Sequence, residues 1–345
     1  MMDNSIETRI QTLMAEATPD AAVALRDIAE STADKEARKA ARRALYRLSQ
    51  SGIVPPEPAS RPATVATPAR EIEPMRAFAS AFDGAGNQLL TLILPDPDGG
   101  SPVLFQVVIN DEVGIKDFFD ERVPRRELES LIAGYERRFG AEMALAEIEA
   151  DYGKWLLAQA REINRRLGIA TPRGFLTWLP RVGEPEREYS EAPVWQRNSR
   201  EEVRADQSYP RDPKALFELP WFSPWFLLVE DVYPWVQAWE QAGQSLVVLS
   251  DAVKEERRQK VVTEAAQARV TPEMRALYSR RLEGSADILL RRGEEQAARQ
   301  ALYHALSLAD NGPVEQVPFA RALVERTLEA ALAMIKERQQ RSSSR

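Results

Sequence analysis

The chain has 345 residues, 44% hydrophobic and 29% charged, with a net charge of −7. It contains no cysteine and one histidine, His304. Those counts exclude a disulfide framework, a thiolate nucleophile, a Cys/His zinc site and any Ser-His-Asp triad that does not use His304.

In chain order, residues 4–52 read as three helices within an N-terminal module spanning 1–53. Asn4 and Glu7 sit at capping-box spacing, Thr18-Pro19 is a cap followed by proline at the first helical position, and Gly52 is placed as a terminator. Residues 54–74 hold six prolines and few large apolar side chains, the composition of a semi-stiff linker. The main body, 75–340, opens with three strands at 75–82, 88–94 and 103–109. Their short Gly/Asp/Pro turns imply an antiparallel β-meander over 75–110. Residues 111–123 read as irregular. A helix follows Pro124. A longer one over 141–167 carries the stripe Ile148, Tyr152, Trp155, Leu156, Gln159, Ile163 and Leu167. Gly153 within it marks the close approach of another element, and Gly168 ends it. Thr171-Pro172 opens a short helix with Phe175 and Trp178. Residues 180–215 are a polar excursion with at most short helices. Residues 216–242 are dense in aromatics. Gln244 to Arg269 reads as helix, with Leu246–Leu249 as an alternative buried strand. Thr271-Pro272 starts the first of three closing helices, completing the helical region 124–340, and residues 341–345 read as a disordered tail. The fold expected is mainly α with a small antiparallel β-meander.

Two local patterns resemble known helical repeats. Asp34, Ala37-Arg38, Ala40-Ala41 and Ala44-Leu45 make residues 18–50 similar to a HEAT-type repeat, with Ala37 where that family has valine. Ala286, Gly293, Ala298, Ala305, Leu306 and Leu308 make residues 279–311 resemble a tetratricopeptide hairpin. Leu302 replaces its usual aromatic there, and the closing proline is missing at its usual offset. Each resemblance covers about a tenth of the chain and one unit. Both imply helical scaffolding and contact with other proteins.

Few constellations carry chemistry. Asp96-Pro97-Asp98-Gly99-Gly100 lacks the remaining ligands of a calcium loop and reads as a turn. Asp83-Gly84-Ala85-Gly86-Asn87 joins two strands and is no dinucleotide loop. Asp111, Glu112, Asp117, Asp120 and Glu121 form an acidic loop over 111–121, where acid–base or metal chemistry would have to reside. His304 reads as a half-buried packing residue. The 38 arginines against 8 lysines include seven Arg-Arg doublets, read as solvated helix faces paired with glutamates. The aromatic segment 217–239 reads first as core between sheet and helices. Its alternative role is a partner surface made by Trp221, Phe222, Trp225, Phe226 and Trp235.

The leading expectation is a non-enzymatic cytoplasmic adaptor or scaffold that binds another protein through its helical surfaces. No catalytic residue, metal ligand or cofactor is assigned. One alternative is an RNA- or ribosome-associated protein stacking bases on Phe78, Phe82 and Phe105, which the acidic balance disfavours. The other is a carboxylate- or metal-dependent enzyme using the acidic loop. The opening residues carry no apolar signal segment, and the longest apolar stretch, 216–236, is broken by prolines and acids, so no membrane span is expected.

Overall fold

The structure, a computed structural model, describes residues 4–32, 34–51, 53, 74–243, 250–310 and 312–343. The chain separates into two compact units. One holds the N-terminal helices and the other everything from the first strand onward. The side chains of the expected Asn4–Glu7 capping pair, Gly52, the linker to residue 73 and the alternative strand Leu246–Leu249 lie outside the described residues.

The first unit is α1 (Asn4–Glu16), α2 (Pro19–Ser31) and α3 (Lys35–Gln50). Thr18 Oγ1 accepts the Ala21 N–H at 3.1 Å, with Pro19 at the first helical position. Asp34 caps α3, its carboxylate accepting the N–H groups of Glu36 (2.8 Å) and Ala37 (3.3 Å). Ile10, Ala22, Leu25, Ala41, Ala44 and Leu48 form the core. Alanines at the crossing let the helix axes come close.

The second unit begins with β1 (Arg76–Ala79), β2 (Asn87–Leu94) and β3 (Val103–Asn110), then adds β4 (Gly114–Arg122) and β5 (Ala146–Ile148). The order is β4-β3-β2-β1-β5, and every pairing is antiparallel. Two sequence expectations are corrected here. The segment read as irregular is largely the edge strand β4. Its charged side chains obscure the strand period because an edge needs charge to discourage further pairing. The helix expected from 141 begins instead at Ala150, after a 3₁₀ turn (Ala141–Met143) and β5. Arg76 fastens β5 to β1, forking onto Glu147 at 2.7 and 2.9 Å.

Both faces of the sheet are covered. Phe78, Leu89, Ile93 and Leu104 pack with Leu128 of α4 (Arg125–Phe139). Ala77, Leu90, Leu92, Phe105 and Val107 pack with α5 (Ala150–Leu167) and Phe175. Strands covered on both faces read as continuous apolar runs. A Cβ on Gly153 would lie 2.9 Å from Ala77 Cβ, so this glycine sets how closely α5 approaches the sheet. Phe78 and Phe105 are therefore buried, and Phe82 is packed against the helical core, so these three rings are not presented on an open sheet face.

The excursion 180–215 contains short pieces: α6 (Leu179–Val182), α7 (Arg200–Ala205) and the start of α8 (Pro213–Phe217). Longer helices follow: α9 (Val229–Gly243), α10 (Asp251–Arg269), α11 (Pro272–Arg291), α12 (Glu295–Ala309) and α13 (Pro318–Ser343). Thr271 Oγ1 caps α11, accepting from Met274. α13 continues to Ser343, with an ion pair between Arg341 and Glu337 one turn back, and the last two residues of the expected tail lie outside the described residues. Among the described residues no helix is long and apolar enough to cross a membrane.

His304 lies deep in the helical core rather than half-buried. The residue is 1% exposed, its ring flanked by Tyr303 and Phe319, and neither nitrogen has a hydrogen-bond partner among the described residues. Burial pushes its pKa down to about 4, with Asp212 weakly opposing. The unfolded chain takes up this proton near pH 6.5. The stabilising effect of a neutral ring is thus complete above that pH and lost as pH falls toward 4. Between pH 7.5 and 5, urea unfolding should show the native chain losing about 2 kcal/mol more than His304→Leu; parallel profiles would contradict this burial.

Candidate functional site

A cleft of about 610 Å³ opens in the second unit between α5, the end of β3, the segment 189–192 and α11. One wall is the stripe of α5. Tyr152, Trp155, Leu156, Gln159 and Ile163 recur at helical spacing, as the sequence indicates, and all five border the cleft, although Tyr152 is itself buried and Trp155 and Leu156 also pack on the sheet core. The sheet is met by Gly153, Leu157 and Ala160, one step around the helix. Asn164 fixes that rotation, since its Oδ1 accepts the Ile115 N–H at 2.8 Å and its Nδ2 donates to Val113 O at 2.9 Å.

The aromatic part of the wall is rigid. Tyr152 and Trp155 stack at 5.6 Å, and Tyr189 packs against both. Trp155 Nε1 donates to Glu188 at 2.9 Å, and the Tyr189 hydroxyl donates to Asp151 at 3.3 Å. Burial raises the phenols of Tyr152 and Tyr189, which keeps both neutral donors.

The charged groups divide into those with and those without an ion pair among the described residues. Arg281 is buried, and its fork holds both oxygens of Asp111 at 2.8 Å, Glu112 at 2.6 Å and Gly84 O at 3.1 Å. Burial pushes the Asp111 carboxyl up against the pull of Arg281. Arg200 pairs with Glu191 at 2.6 Å and lies over the Trp195 ring. Arg166 and Arg280 also line the cleft, are exposed, and form no salt bridge among the described residues. Glu283 faces the same space, its carboxyl raised by burial. The cleft thus offers an aromatic wall with two guanidinium groups that form no salt bridge among the described residues, a combination suited to a ligand with an apolar part and a carboxylate.

The residues suggested as a partner surface lie elsewhere. Trp221, Phe222 and Trp225 are core, and Trp225 Nε1 donates to Phe82 O at 3.3 Å. Phe226 and Trp235 are half-buried, Phe226 lying under the Arg326 guanidinium at 4.3 Å. With three of the five sealed, the segment 217–239 closes the seam between sheet and helices. Nor do the acidic residues of 111–121 gather. Asp111 belongs to Arg281, Asp117 accepts the adjacent Phe118 N–H, and Asp120 and Glu121 lie exposed along β4. Among the described residues no group of three or more His, Asp or Glu side chains could hold a metal ion.

The sequence showed the α5 stripe but not that it borders a cleft. The doublets Arg165-Arg166 and Arg280-Arg281 were visible, but not that each contributes one ion-paired arginine and one without a salt bridge among the described residues. Arg165 pairs with Glu162, leaving its neighbour at the cleft.

The cleft floor depends on Gly284, because a Cβ there would meet Phe82 Cε2 at 2.6 Å. Gly284→Ala should push the Phe82 ring aside and cost about 1–3 kcal/mol in urea unfolding; an unchanged midpoint would contradict the packing described. No family model, curated protein or solved structure matches the chain.

Proposed function

We propose that the protein is a non-enzymatic adaptor that captures a short segment of another protein in this cleft, the segment presenting an apolar side chain beside a carboxylate. The observation that supports it is a cleft that joins the aromatic stripe of α5 to Arg166 at the end of the same helix and Arg280 on the opposite wall, neither of which forms a salt bridge among the described residues. Tryptophan, tyrosine and arginine are the residues that dominate interaction hot spots, and here Trp155, Tyr189 and the two arginines share one concave surface. The similarity of residues 18–50 and 279–311 to helical repeats fits the same reading, since such hairpins serve protein contact. Its setting in this reading is the cytoplasm, in keeping with a chain that has no cysteine.

Selection of displayed random peptides against the full-length chain tests this directly. Enriched peptides should share an acidic residue within about two positions of a large apolar one. Their affinity should fall about tenfold with Arg280→Ala or Arg166→Ala, as expected for loss of a charge-assisted hydrogen bond, and at least tenfold with Trp155→Ala. No enrichment, or enriched peptides that bind the Arg166→Ala/Arg280→Ala variant equally well, would overturn the assignment.

A further inference from the structure

The N-terminal unit carries a second surface, independent of the cleft. Helix α3 turns Ala37, Ala41, Ala44 and Leu48 inward. Its other side presents Lys35, Arg38, Lys39, Arg42, Arg43 and Arg47, which border one shallow, open depression together with Tyr46. The only acids at this helix are Asp34, whose carboxylate is used as the cap, and Glu36. Arg38 donates to Thr32 O at 2.7 Å. The other five cations form no ion pair among the described residues. This departs from a solvated helix face, where glutamates at i±4 neutralise the basic residues. It also runs against the chain's own net charge of −7.

From these observations we infer that the exposed face of α3 binds single-stranded nucleic acid, its cations on successive phosphates and one base stacked on Tyr46. From Lys35 to Arg47 the face is about 18 Å long, given a rise of about 1.5 Å per residue. In a polynucleotide that length presents several phosphates, enough to engage four or five cations at once. Tyr46 is 66% exposed near the C-terminal end of the cationic rows, one turn from Arg42 and Arg43 and next to Arg47. An exposed ring among arginines is the arrangement that holds an unpaired base, whereas a duplex would keep its bases from the ring. A lipid surface fits less well. Interfacial helices bury an apolar face in the bilayer, and the apolar face of α3 is already occupied by α1 and α2. Arginine fits phosphate oxygens bidentately, and four of the six cations are arginine.

The experiment is fluorescence anisotropy of a labelled oligouridylate of about 15 nucleotides, titrated with the full-length chain at several salt concentrations. Binding should weaken with salt, log K falling with log[salt] at a slope of about −3 if four phosphates are engaged. Arg42→Ala/Arg43→Ala should weaken binding at least tenfold and make the slope shallower by about 1.4. Tyr46→Ala should weaken binding about tenfold with the slope unchanged, and Tyr46→Phe should restore it. Arg42→Gln/Arg43→Gln provides a second pair, and far-UV circular dichroism confirms retained helix. Four results would each overturn the inference: no salt-dependent binding; full binding by both double variants; competition by blunt duplex or polyglutamate as strong as by unlabelled oligouridylate; or tighter binding to phosphatidylserine vesicles than to the oligonucleotide.

Discussion

Arg281 leaves α11 for the interior, where 2% of its side chain meets solvent, and closes its fork on both oxygens of Asp111. The same guanidinium reaches Glu112 and the carbonyl of Gly84, and lies over the Tyr278 ring at 5.0 Å. Gly84 belongs to the turn between β1 and β2, and Asp111 and Glu112 to the turn after β3. One side chain therefore holds two turns of the sheet against the helical half of the unit. The charge is costly to desolvate, so each partner matters. Breaking such a pair on one side typically costs about 3–5 kcal/mol, because a charge is left buried without compensation.

The cleft follows from that anchor. Successive residues of a helix are turned about 100° apart. With Arg281 fixed inward, Arg280 is directed outward and forms no salt bridge among the described residues. Gly284 lies one turn on, where α11 presses on Phe82 and forms the floor. On the opposite side, Asn164 and Gly153 set α5 so that Gly153, Leu157 and Ala160 meet the sheet and its aromatic stripe borders the cleft. The seam beyond is sealed by Trp225, whose ring packs against Phe222 and Tyr278. Recognition and stability thus use different members of the same residue classes: Trp155 against Trp225, and Arg280 against Arg281.

Local signals were legible where the cause is local. The Thr-Pro starts of α2 and α11 and the first three strands follow from the chain, as does the mainly α character with one small sheet. The misreadings share a physical origin. β4 is an edge strand whose charges mask its period, and β5 is three residues whose strand character comes only from pairing with β1. The α5 stripe has the period of a core face, and nothing in a period tells whether a partner element arrives to cover it. His304 looked half-buried because its neighbours along α12 explained the pattern, while Phe319, distant in sequence, closes over it. The site needed long-range information throughout, as Arg281 and Asp111 are 170 residues apart.

The dependence of the main body on this one fork is best tested by a double-mutant cycle. Arg281→Met, Asp111→Leu and the double variant are compared in urea unfolding. The account predicts a coupling of about 3 kcal/mol or more, with the double variant more stable than the Asp111→Leu single, since removing both charges relieves the buried cation. Additive effects within about 0.5 kcal/mol would show that the fork does not hold sheet and helices together.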